Sequence, residues 1–228
     1  MPINNTLRHL AIIMDGNGRW AQKQDKKRSF GHEAGVKNLV QITKYAATIG
    51  IEFLTLYAFS TENWKRPKSE VDFLMKLLSK FLKKELKTFK ANNVKFEIIG
   101  DISKFSNSLQ KAILDVKEQT KKHTGMTQVL AINYGSRDEI TRAINKAVKE
   151  KKEVNEEDIS NLLDTSFCPD VDLLIRTGGD QRLSNFLLWQ SAYAELFFTN
   201  TLWPDFSSEE LKAILSKYET TSRRFGAL

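Results

Sequence analysis

The segment HLAIIMDGNGRWAQ, residues 9–22, constrains the fold of this chain more than any other. Its apolar run from Leu10 to Met14 is too short for a helix and is typical of a buried strand. Gly16 and Gly18 follow, and glycine allows positive φ and a close approach of the backbone to a ligand. The residues from Arg19 to Lys27 can begin a helix. The segment therefore predicts a strand, a glycine turn and a helix in succession.

The polar groups of this turn favour an anion site. Backbone N–H groups of a first helical turn lack partners within the helix and point out of it. Arg19 adds a bidentate donor for phosphate oxygens, and Asp15 adds a hard oxygen ligand for Mg²⁺. An ordinary turn with capping polar residues is the alternative. So many functional groups within five positions favour the anion site.

Strands and helices alternate along the rest of the chain. Strands are predicted at 10–14, 51–59, 94–99, 128–134, 172–175 and 194–199. Helices are predicted at 19–27, 31–50, 69–90, 103–122, 136–152, 156–163 and 207–220, with Ser69 as the N-cap of the third. Alternation of this kind predicts an α/β fold: a mostly parallel sheet of about six strands, flanked by helices.

Length and composition describe a single soluble domain. The chain has 228 residues, and we expect residues 1–228 to form one domain. Its only cysteine, Cys168, excludes an intramolecular disulfide and fits a reducing cytoplasm. No segment approaches the roughly 18 apolar residues that cross a bilayer, and no signal peptide is visible. The net charge of +7 indicates attraction to nucleic acid, phosphorylated metabolites or an anionic membrane surface.

Polar and basic residues follow four of the predicted strands. They lie at Asp15–Arg19, at Ser60–Pro67, at Arg176–Asn185 and around Glu195. Ligands of parallel sheets bind at the carboxyl ends of the strands, so these segments are expected to converge. Together they supply four arginines for phosphate binding, enough for two diphosphates: Arg19, Arg66, Arg176 and Arg182.

Several nucleotide and metal motifs are missing from the sequence. There is no phosphate-binding loop of the Gly-x-x-x-x-Gly-Lys type, and no Gly-x-Gly-x-x-Gly turn follows the first strand. No cysteine and histidine cluster has zinc spacing, and there is no Asp-Asp-x-x-Asp pair. Of the three histidines, His9 is interpreted as structural and His123 as exposed. Only His32 is placed to contact a phosphate.

Three long segments, 9–22, 59–67 and 176–196, resemble in order the signature segments of the cis-prenyltransferases, and the 223–226 tail, RRFG, resembles the family's tail. The resemblance covers nearly the whole chain. It implies a homodimeric α/β enzyme that adds isopentenyl diphosphate repeatedly to farnesyl diphosphate with Mg²⁺, each step creating a cis double bond. The implied product is undecaprenyl diphosphate, the lipid carrier precursor for cell-wall polysaccharide; a shorter or longer product is the alternative.

The resemblance also implies roles for individual residues. The allylic diphosphate would lie on Gly16, Asn17, Gly18 and Arg19, with Arg28, His32 and Arg66 around it. Arg176, Arg182, Leu183 and Ser184 would hold isopentenyl diphosphate, and Ser60, Thr61 and Glu62 belong to the same substrate site. Asp15 and Glu195 would share Mg²⁺, while Trp20, Phe59 and Trp64 would pack the isoprenoid head.

The resemblance places Asn63 near the proton that isopentenyl diphosphate loses from C2. A neutral amide is a poor base, so we interpret Asn63 as an orienting group. A diphosphate oxygen or Asp15 is the better acceptor. The family commonly has histidine where this chain has Gln181, which carries neither a proton nor a charge.

A growing isoprenoid chain requires an apolar tunnel. The predicted helices 31–50 and 69–90 have apolar stripes wide enough to line one, although core packing is the simpler explanation for most of these residues. Lys83, Lys84, Lys87 and Lys90 predict a basic helix face that is solvated or contacts anionic lipid at the inner face of the plasma membrane.

Two other function classes are consistent with parts of the sequence. A nucleic-acid-binding α/β protein would explain the positive charge, but its aromatic residues are not interleaved with a basic stripe. Asp15 and Glu195 would also repel phosphates unless a metal is bound. A phosphotransferase or nucleotide hydrolase is the second alternative. We therefore expect small diphosphates, and no nucleic acid, as ligands.

Overall fold

The computed structural model describes residues 7–151 and 153–221, and strands and helices alternate through both ranges. The strands are β1 (His9–Ile13), β2 (Phe53–Ser60), β3 (Lys95–Ile99), β4 (Thr127–Tyr134), β5 (Leu173–Arg176) and β6 (Glu195–Phe198). The α-helices are α1 (Asn17–Gln22), α2 (Arg28–Ile49), α3 (Lys68–Ala91), α4 (Asn107–Thr120), α5 (Ser136–Lys149), α6 (Glu156–Leu162) and α7 (Ser208–Glu219). Short 3₁₀ turns cover Thr61–Lys65, Ile102–Lys104 and Trp203–Asp205.

The strands form one six-stranded sheet in the order β3-β4-β2-β1-β5-β6, and every neighbouring pair is parallel. The predicted α/β domain with a six-stranded sheet is confirmed. In the sheet, β2 lies on one side of β1, whereas β5, followed by β6, lies on the other side of β1. Because the strand order reverses between β1 and β5, the crevice at their carboxyl ends is where a ligand is expected.

Both faces of the sheet are buried, as the continuous apolar strands require. On β1, Leu10 and Ile12 pack into the larger core cluster with residues of α2, α3, α4 and α7. Ala11 and Ile13 point to the opposite face and pack with Phe186, which follows β5. Alternation with a period of two thus divides β1 between two cores, and polar residues follow at its carboxyl end.

The turn after β1 is tighter than predicted, because α1 begins at Asn17 rather than Arg19. Gly16 has a φ of 108°, in the left-handed region that favours glycine. Gly18 does not use the positive φ that glycine allows, since this residue lies inside α1. Its small size is needed for packing instead: a Cβ there would lie 2.5 Å from a guanidinium nitrogen of Arg28.

The beginning of α3 also differs from the prediction. Pro67 is the N-cap, and Lys68, not Ser69, is the first helical residue. Proline has its φ fixed near −65° and needs no N–H partner, so it is well suited to a helix start.

Among the helices of the described ranges, none is long and apolar enough to span a bilayer.

Candidate active site

A cleft of about 530 Å³ lies at the carboxyl ends of β1, β2 and β5, at the predicted sheet edge. The segments after these strands supply most of its walls, and α2 and α3 close one side. Its lining residues are Ile13, Met14, Asp15, Asn17, His32, Tyr57, Ala58, Phe59, Ser60, Glu62, Asn63, Arg66, Leu74, Arg176, Ser184 and Asn185. The structure therefore brings three of the four polar segments predicted from sequence into one cavity.

The carboxylate of Asp15 is held rigidly at the end of β1. One of its oxygens accepts a 2.6 Å hydrogen bond from the Gly16 backbone N–H. The other oxygen lies 2.9 Å from Arg176 and 3.2 Å from Arg19. Burial raises the pKa of Asp15, but the Arg176 hydrogen bond and the two positive charges outweigh it and hold this pKa below its usual value. Asp15 is therefore an ionised, weakly basic carboxylate.

The first group of cations surrounds Asp180 and is here named the Asp180 cluster: Asp180 with Arg19, Arg176 and Arg182. The Asp180 carboxylate lies 3.8 Å from Arg19, 3.3 Å from Arg176 and 3.0 Å from Arg182. Only 5% of the Arg176 side chain is exposed, and it also donates a 2.7 Å hydrogen bond to the hydroxyl of Ser184. The Nε of Arg176 is buried and has no hydrogen-bond partner.

The second group of cations surrounds Glu70 and is here named the Glu70 cluster: Glu70 with Arg28, His32 and Arg66. The Glu70 carboxylate lies 3.3 Å from Arg28, 3.2 Å from His32 and 2.9 Å from Arg66. Burial lowers the pKa of His32 in spite of its hydrogen bond to Glu70, so this imidazole is neutral at pH 7. The two arginines supply the positive charge of the cluster.

The 3₁₀ turn after β2 places the carboxylate of Glu62 and the amide of Asn63 on the wall of the cleft. Asn63 uses its Oδ1 to accept a 3.1 Å hydrogen bond from the Ser60 N–H, which fixes the amide toward the cleft. Glu62 accepts a 3.0 Å hydrogen bond from Asn185, and this bond joins the β2 turn to the segment after β5. Thr61 is turned toward Gly135, where an added Cβ would approach its hydroxyl to 2.6 Å.

A narrower apolar cavity of about 80 Å³ adjoins the cleft and shares Ala58, Phe59 and Leu74 with it. It extends between α2 and α3 over the face of β4. Its remaining lining residues are Val36, Leu39, Met75, Leu77, Leu78, Phe81, Leu130 and Ile132. A polar, cationic cleft thus opens directly onto an apolar cavity, an arrangement suited to a ligand with an anionic head and a hydrocarbon tail.

Comparison with known proteins agrees with this arrangement. A family model described as putative undecaprenyl diphosphate synthase matches residues 13–226. The chain belongs to the undecaprenyl diphosphate synthase family. The isoprenyl transferase of Wolinella succinogenes is 57% identical over 224 residues, covering 98% of each chain.

Two solved structures support the same assignment. Lavandulyl diphosphate synthase from Lavandula x intermedia, in complex with dimethylallyl diphosphate, has a TM-score of 0.93 at 37% identity and covers 97% of this chain and 98% of its own. A probable undecaprenyl diphosphate synthase from Campylobacter jejuni has a TM-score of 0.85 at 41% identity, covering 98% of this chain and all of its own. This member of the synthase family is therefore a prenyltransferase of isoprenoid biosynthesis.

Three residues that were expected to bind substrate are not among the residues that line the cleft of this synthase-family member: Trp20, Trp64 and Leu183. The indole of Trp20 stacks on Phe30 with ring centroids 5.6 Å apart and donates to Asp205, on the outer side of α1 and α2. Trp64 packs edge-on against Phe59 and donates to Asn133. Leu183 packs against the smaller core cluster around Phe186. Only Phe59 of the three aromatic residues expected at the isoprenoid head lines the cleft.

Glu195 does not meet Asp15 within one chain. It is the first residue of β6 and is in register with Leu173, which pairs with Leu10 at the beginning of β1. At about 3.3 Å per residue, this register leaves roughly 16 Å along the sheet between Glu195 and Asp15. Asp15 and Glu195 therefore do not meet within one chain, and a contribution from Glu195 to a shared metal site would require a second copy.

The residues present fit a magnesium ion that binds together with a diphosphate. Magnesium in such sites uses one or two carboxylates and completes its shell with phosphate oxygens and water. Asp15 supplies one ionised carboxylate at the cleft, beside arginines for the phosphates. Within the described ranges, no group of three or more His, Cys, Asp or Glu residues could hold a metal by itself.

Sequence reasoning missed Glu70, Asp180 and Asn185. Arg66 and Glu70 are spaced i, i+4 at the beginning of a helix, which is a recognisable signal. Arg176 and Asp180 have the same spacing, but they lie at the end of a strand and in the following loop, where it predicts no contact. Asn185 has no such signal; its left-handed backbone, with a φ of 62°, appears only in the folded chain.

Of the histidines, His9 is buried and hydrogen-bonded as predicted, whereas His123 is half-buried and contacts the Val94 carbonyl rather than being exposed.

Proposed function

We propose that this prenyltransferase condenses isopentenyl diphosphate sequentially with farnesyl diphosphate, in a Mg²⁺-dependent reaction that creates a cis double bond at each step. The product is a long-chain polyprenyl diphosphate, undecaprenyl diphosphate in particular, which serves as the lipid carrier precursor for cell-wall polysaccharide. The observation that carries the proposal is the direct junction of a cleft bordered by two arginine clusters with an apolar cavity.

The two clusters divide the substrates between them. The Glu70 cluster, with Asn17 and the turn at Gly16, receives the allylic diphosphate, because it borders the mouth of the apolar cavity through Leu74. Arg176 and Arg182 of the Asp180 cluster, with Ser184, receive isopentenyl diphosphate, whereas Arg19 of that cluster is assigned to the allylic diphosphate. Guanidinium groups bind phosphate oxygens through short, charge-assisted hydrogen bonds, so each cluster offers two or three strong contacts.

In the reaction, the bond between C1 and oxygen of the allylic diphosphate breaks, and its electron pair leaves with the diphosphate. The alkene of isopentenyl diphosphate then attacks C1, and a proton leaves from C2. When bound, Mg²⁺ neutralises charge on the leaving diphosphate. Asp15 would hold the metal, and Arg19 and Arg28 stabilise the departing charge from either side.

The proton from C2 has one suitable acceptor. Asp15 is a weak base because Arg176 and Arg19 lower its pKa. Asn63 is a neutral amide whose carbonyl oxygen already accepts from Ser60. A diphosphate oxygen remains, and Asn63 orients isopentenyl diphosphate toward it.

The tail of the growing product would occupy the apolar cavity between α2 and α3. The cavity is narrow, so elongation must displace Leu78, Phe81 or their neighbours. The exposed lysines of the α3 face, Lys83, Lys84 and Lys87, support the proposal that the enzyme contacts anionic lipid when the product is released.

A homodimer is the assembly that we propose. The edge strand β6 and the segment before it carry exposed apolar side chains, with Tyr193 68% and Leu196 45% exposed. Apolar residues concentrated on a sheet edge are typical of a contact surface. The RRFG tail at 223–226, which resembles the family's tail, lies outside the described residues.

The decisive experiment is to incubate the protein with labelled isopentenyl diphosphate, farnesyl diphosphate and Mg²⁺ and to size the extracted products. We expect a ladder of products ending in a long polyprenyl diphosphate, and none when EDTA replaces Mg²⁺. Absence of elongation would exclude this function. A gel shift with nucleic acid, or phosphate release from ATP, would instead support the alternatives.

A further inference from the structure

Glu70 has three basic partners at once, all of them in the proposed allylic diphosphate site. One carboxylate oxygen contacts His32 at 3.2 Å and Arg66 at 2.9 Å, and the other contacts Arg28 at 3.3 Å. Only 15% of the Glu70 side chain is exposed. The groups that are expected to hold a diphosphate are therefore already occupied by an acidic side chain of the protein.

The charges of these groups place Glu70 in competition with a bound diphosphate. Burial raises the pKa of Glu70, but Arg28, Arg66 and His32 together hold it below its usual value, so the side chain is an anion at pH 7. Any diphosphate that binds Arg28 and Arg66 must displace this anion or lie against it. Two anions that share the same cations weaken each other's binding.

We propose that Glu70 is a built-in counter-ion that competes with diphosphate for the Glu70 cluster and keeps its affinity low enough for pyrophosphate to leave. This inference rests on the proposed function, since a processive enzyme must clear pyrophosphate from the allylic site after every condensation. Glu70 holds Arg28 and Arg66 in place while the site is empty. It then regains them as pyrophosphate departs, which makes it a positioning residue rather than a catalytic one.

The neighbouring Asp72 provides a matched control. It lies on the same turn of α3, and its carboxylate pairs with Lys68 at 2.5 Å on the exposed face of the helix. Asp72→Asn and Glu70→Gln therefore remove the same charge from the same helix terminus. Only Glu70→Gln removes it from the cations of the cleft.

The test is calorimetric titration of inorganic pyrophosphate into the full-length protein and its Glu70→Gln, Glu70→Asp and Asp72→Asn variants. We expect Glu70→Gln to bind pyrophosphate more tightly, on the order of tenfold or more, because the competing charge is gone. Glu70→Asp and Asp72→Asn keep the relevant charge and should remain within about threefold of the wild type. Circular dichroism melting of each variant verifies the fold, and Glu70→Ala replaces Glu70→Gln if the latter does not fold.

Weaker or unchanged pyrophosphate binding by Glu70→Gln would overturn the inference, because a merely structural role predicts a loss of affinity. Equal tightening by Glu70→Asp would overturn it as well. In turnover assays, Glu70→Gln should be inhibited by lower concentrations of added pyrophosphate than the wild type. The titration needs no prenyl transfer, so failure of the wild type to elongate an isoprenoid would reject the proposed function without deciding the role of Glu70.

Discussion

Arg176 donates a hydrogen bond to the carboxylate of Asp15 across 2.9 Å, at the point where β5 and β1 end side by side. The two residues are separated by 161 positions in the sequence. Their contact joins the proposed metal ligand to the cation cluster proposed for isopentenyl diphosphate. It follows that the charge of Asp15 affects both substrates and not the allylic diphosphate alone.

Asp15→Ala is expected to abolish turnover and to leave farnesyl diphosphate binding largely intact. Loss of electrostatic stabilisation of the leaving group typically reduces kcat on the order of 10³-fold. Arg28 and Arg66 still hold the diphosphate in this variant. The measurements are product formation at saturating Mg²⁺ and calorimetric binding, with the exposed Asp115→Ala as control. Near-normal turnover of Asp15→Ala would exclude a metal-binding role for this residue.

Arg182→Ala and Arg66→Ala should affect different substrates. Arg182 pairs with Asp180, and Arg66 pairs with Glu70. Loss of a charge-assisted contact costs about 1.5–3 kcal/mol, which corresponds to roughly 10- to 100-fold in affinity. We expect Arg182→Ala to raise the KM for isopentenyl diphosphate and Arg66→Ala to raise that for farnesyl diphosphate. If each variant raised both constants equally, the division of the substrates between clusters would be wrong.

Leu78→Trp should shorten the product without weakening the binding of farnesyl diphosphate. Leu78 lines the apolar cavity beyond its junction with the cleft, so a larger side chain there fills space needed only by a long tail. Chromatography of the extracted products gives the length distribution. Leu114→Trp is a matched control because Leu114 is 54% exposed on α4. An unchanged distribution for Leu78→Trp would show that the product does not grow along this cavity.

Asp164→Asn should destabilise the fold and remove part of its acid sensitivity. Asp164 accepts hydrogen bonds of 2.7 and 2.6 Å from both terminal nitrogens of Arg142. Burial raises the pKa of Asp164, but the ion pair with Arg142 lowers this pKa by more. The pKa in the folded protein is therefore below 3.8, the value in the unfolded chain. The stabilisation is therefore present above about pH 4 and is lost as the pH falls through the lower folded-state pKa.

Urea unfolding of Asp164→Asn at pH 7 should show a loss of about 2–3 kcal/mol relative to the wild type. The difference between the two proteins should shrink as the pH falls below about 4, because the stabilisation by the wild-type carboxylate is lost as it becomes protonated. A difference that is independent of pH would contradict the ion pair as its cause. Exposed Asp138, which also contacts Arg142, serves as the control position.

Leu196→Arg should separate the proposed homodimer into monomers. Leu196 lies on the edge strand β6 and is 45% exposed, so a charge there would be buried without a partner at a dimer contact. Sedimentation velocity distinguishes the two states. A wild-type protein that is monomeric and fully active would reject the dimer.

Local patterns in the sequence determined the elements and the edge of the sheet at which the site lies. Short apolar runs that end at turn residues are properties of short segments. Strands, helices and the Asp15 turn could therefore be predicted within a few residues. The convergence of Asp15, Asn63 and Arg176 followed as well, because the carboxyl ends of parallel strands meet at one edge.

Only the tertiary structure decided which side chains face each other. Glu195 belongs to a strand that was predicted correctly, yet the register of β6 puts it at the opposite end of the sheet from Asp15. Trp20 lies in the signature turn, but packing of α1 on α2 directs it to Phe30. Glu70 was not predicted as a site residue, although its carboxylate contacts three basic groups at the cleft. Strand register and helix packing depend on contacts between residues distant in sequence, and a local pattern carries no information about them.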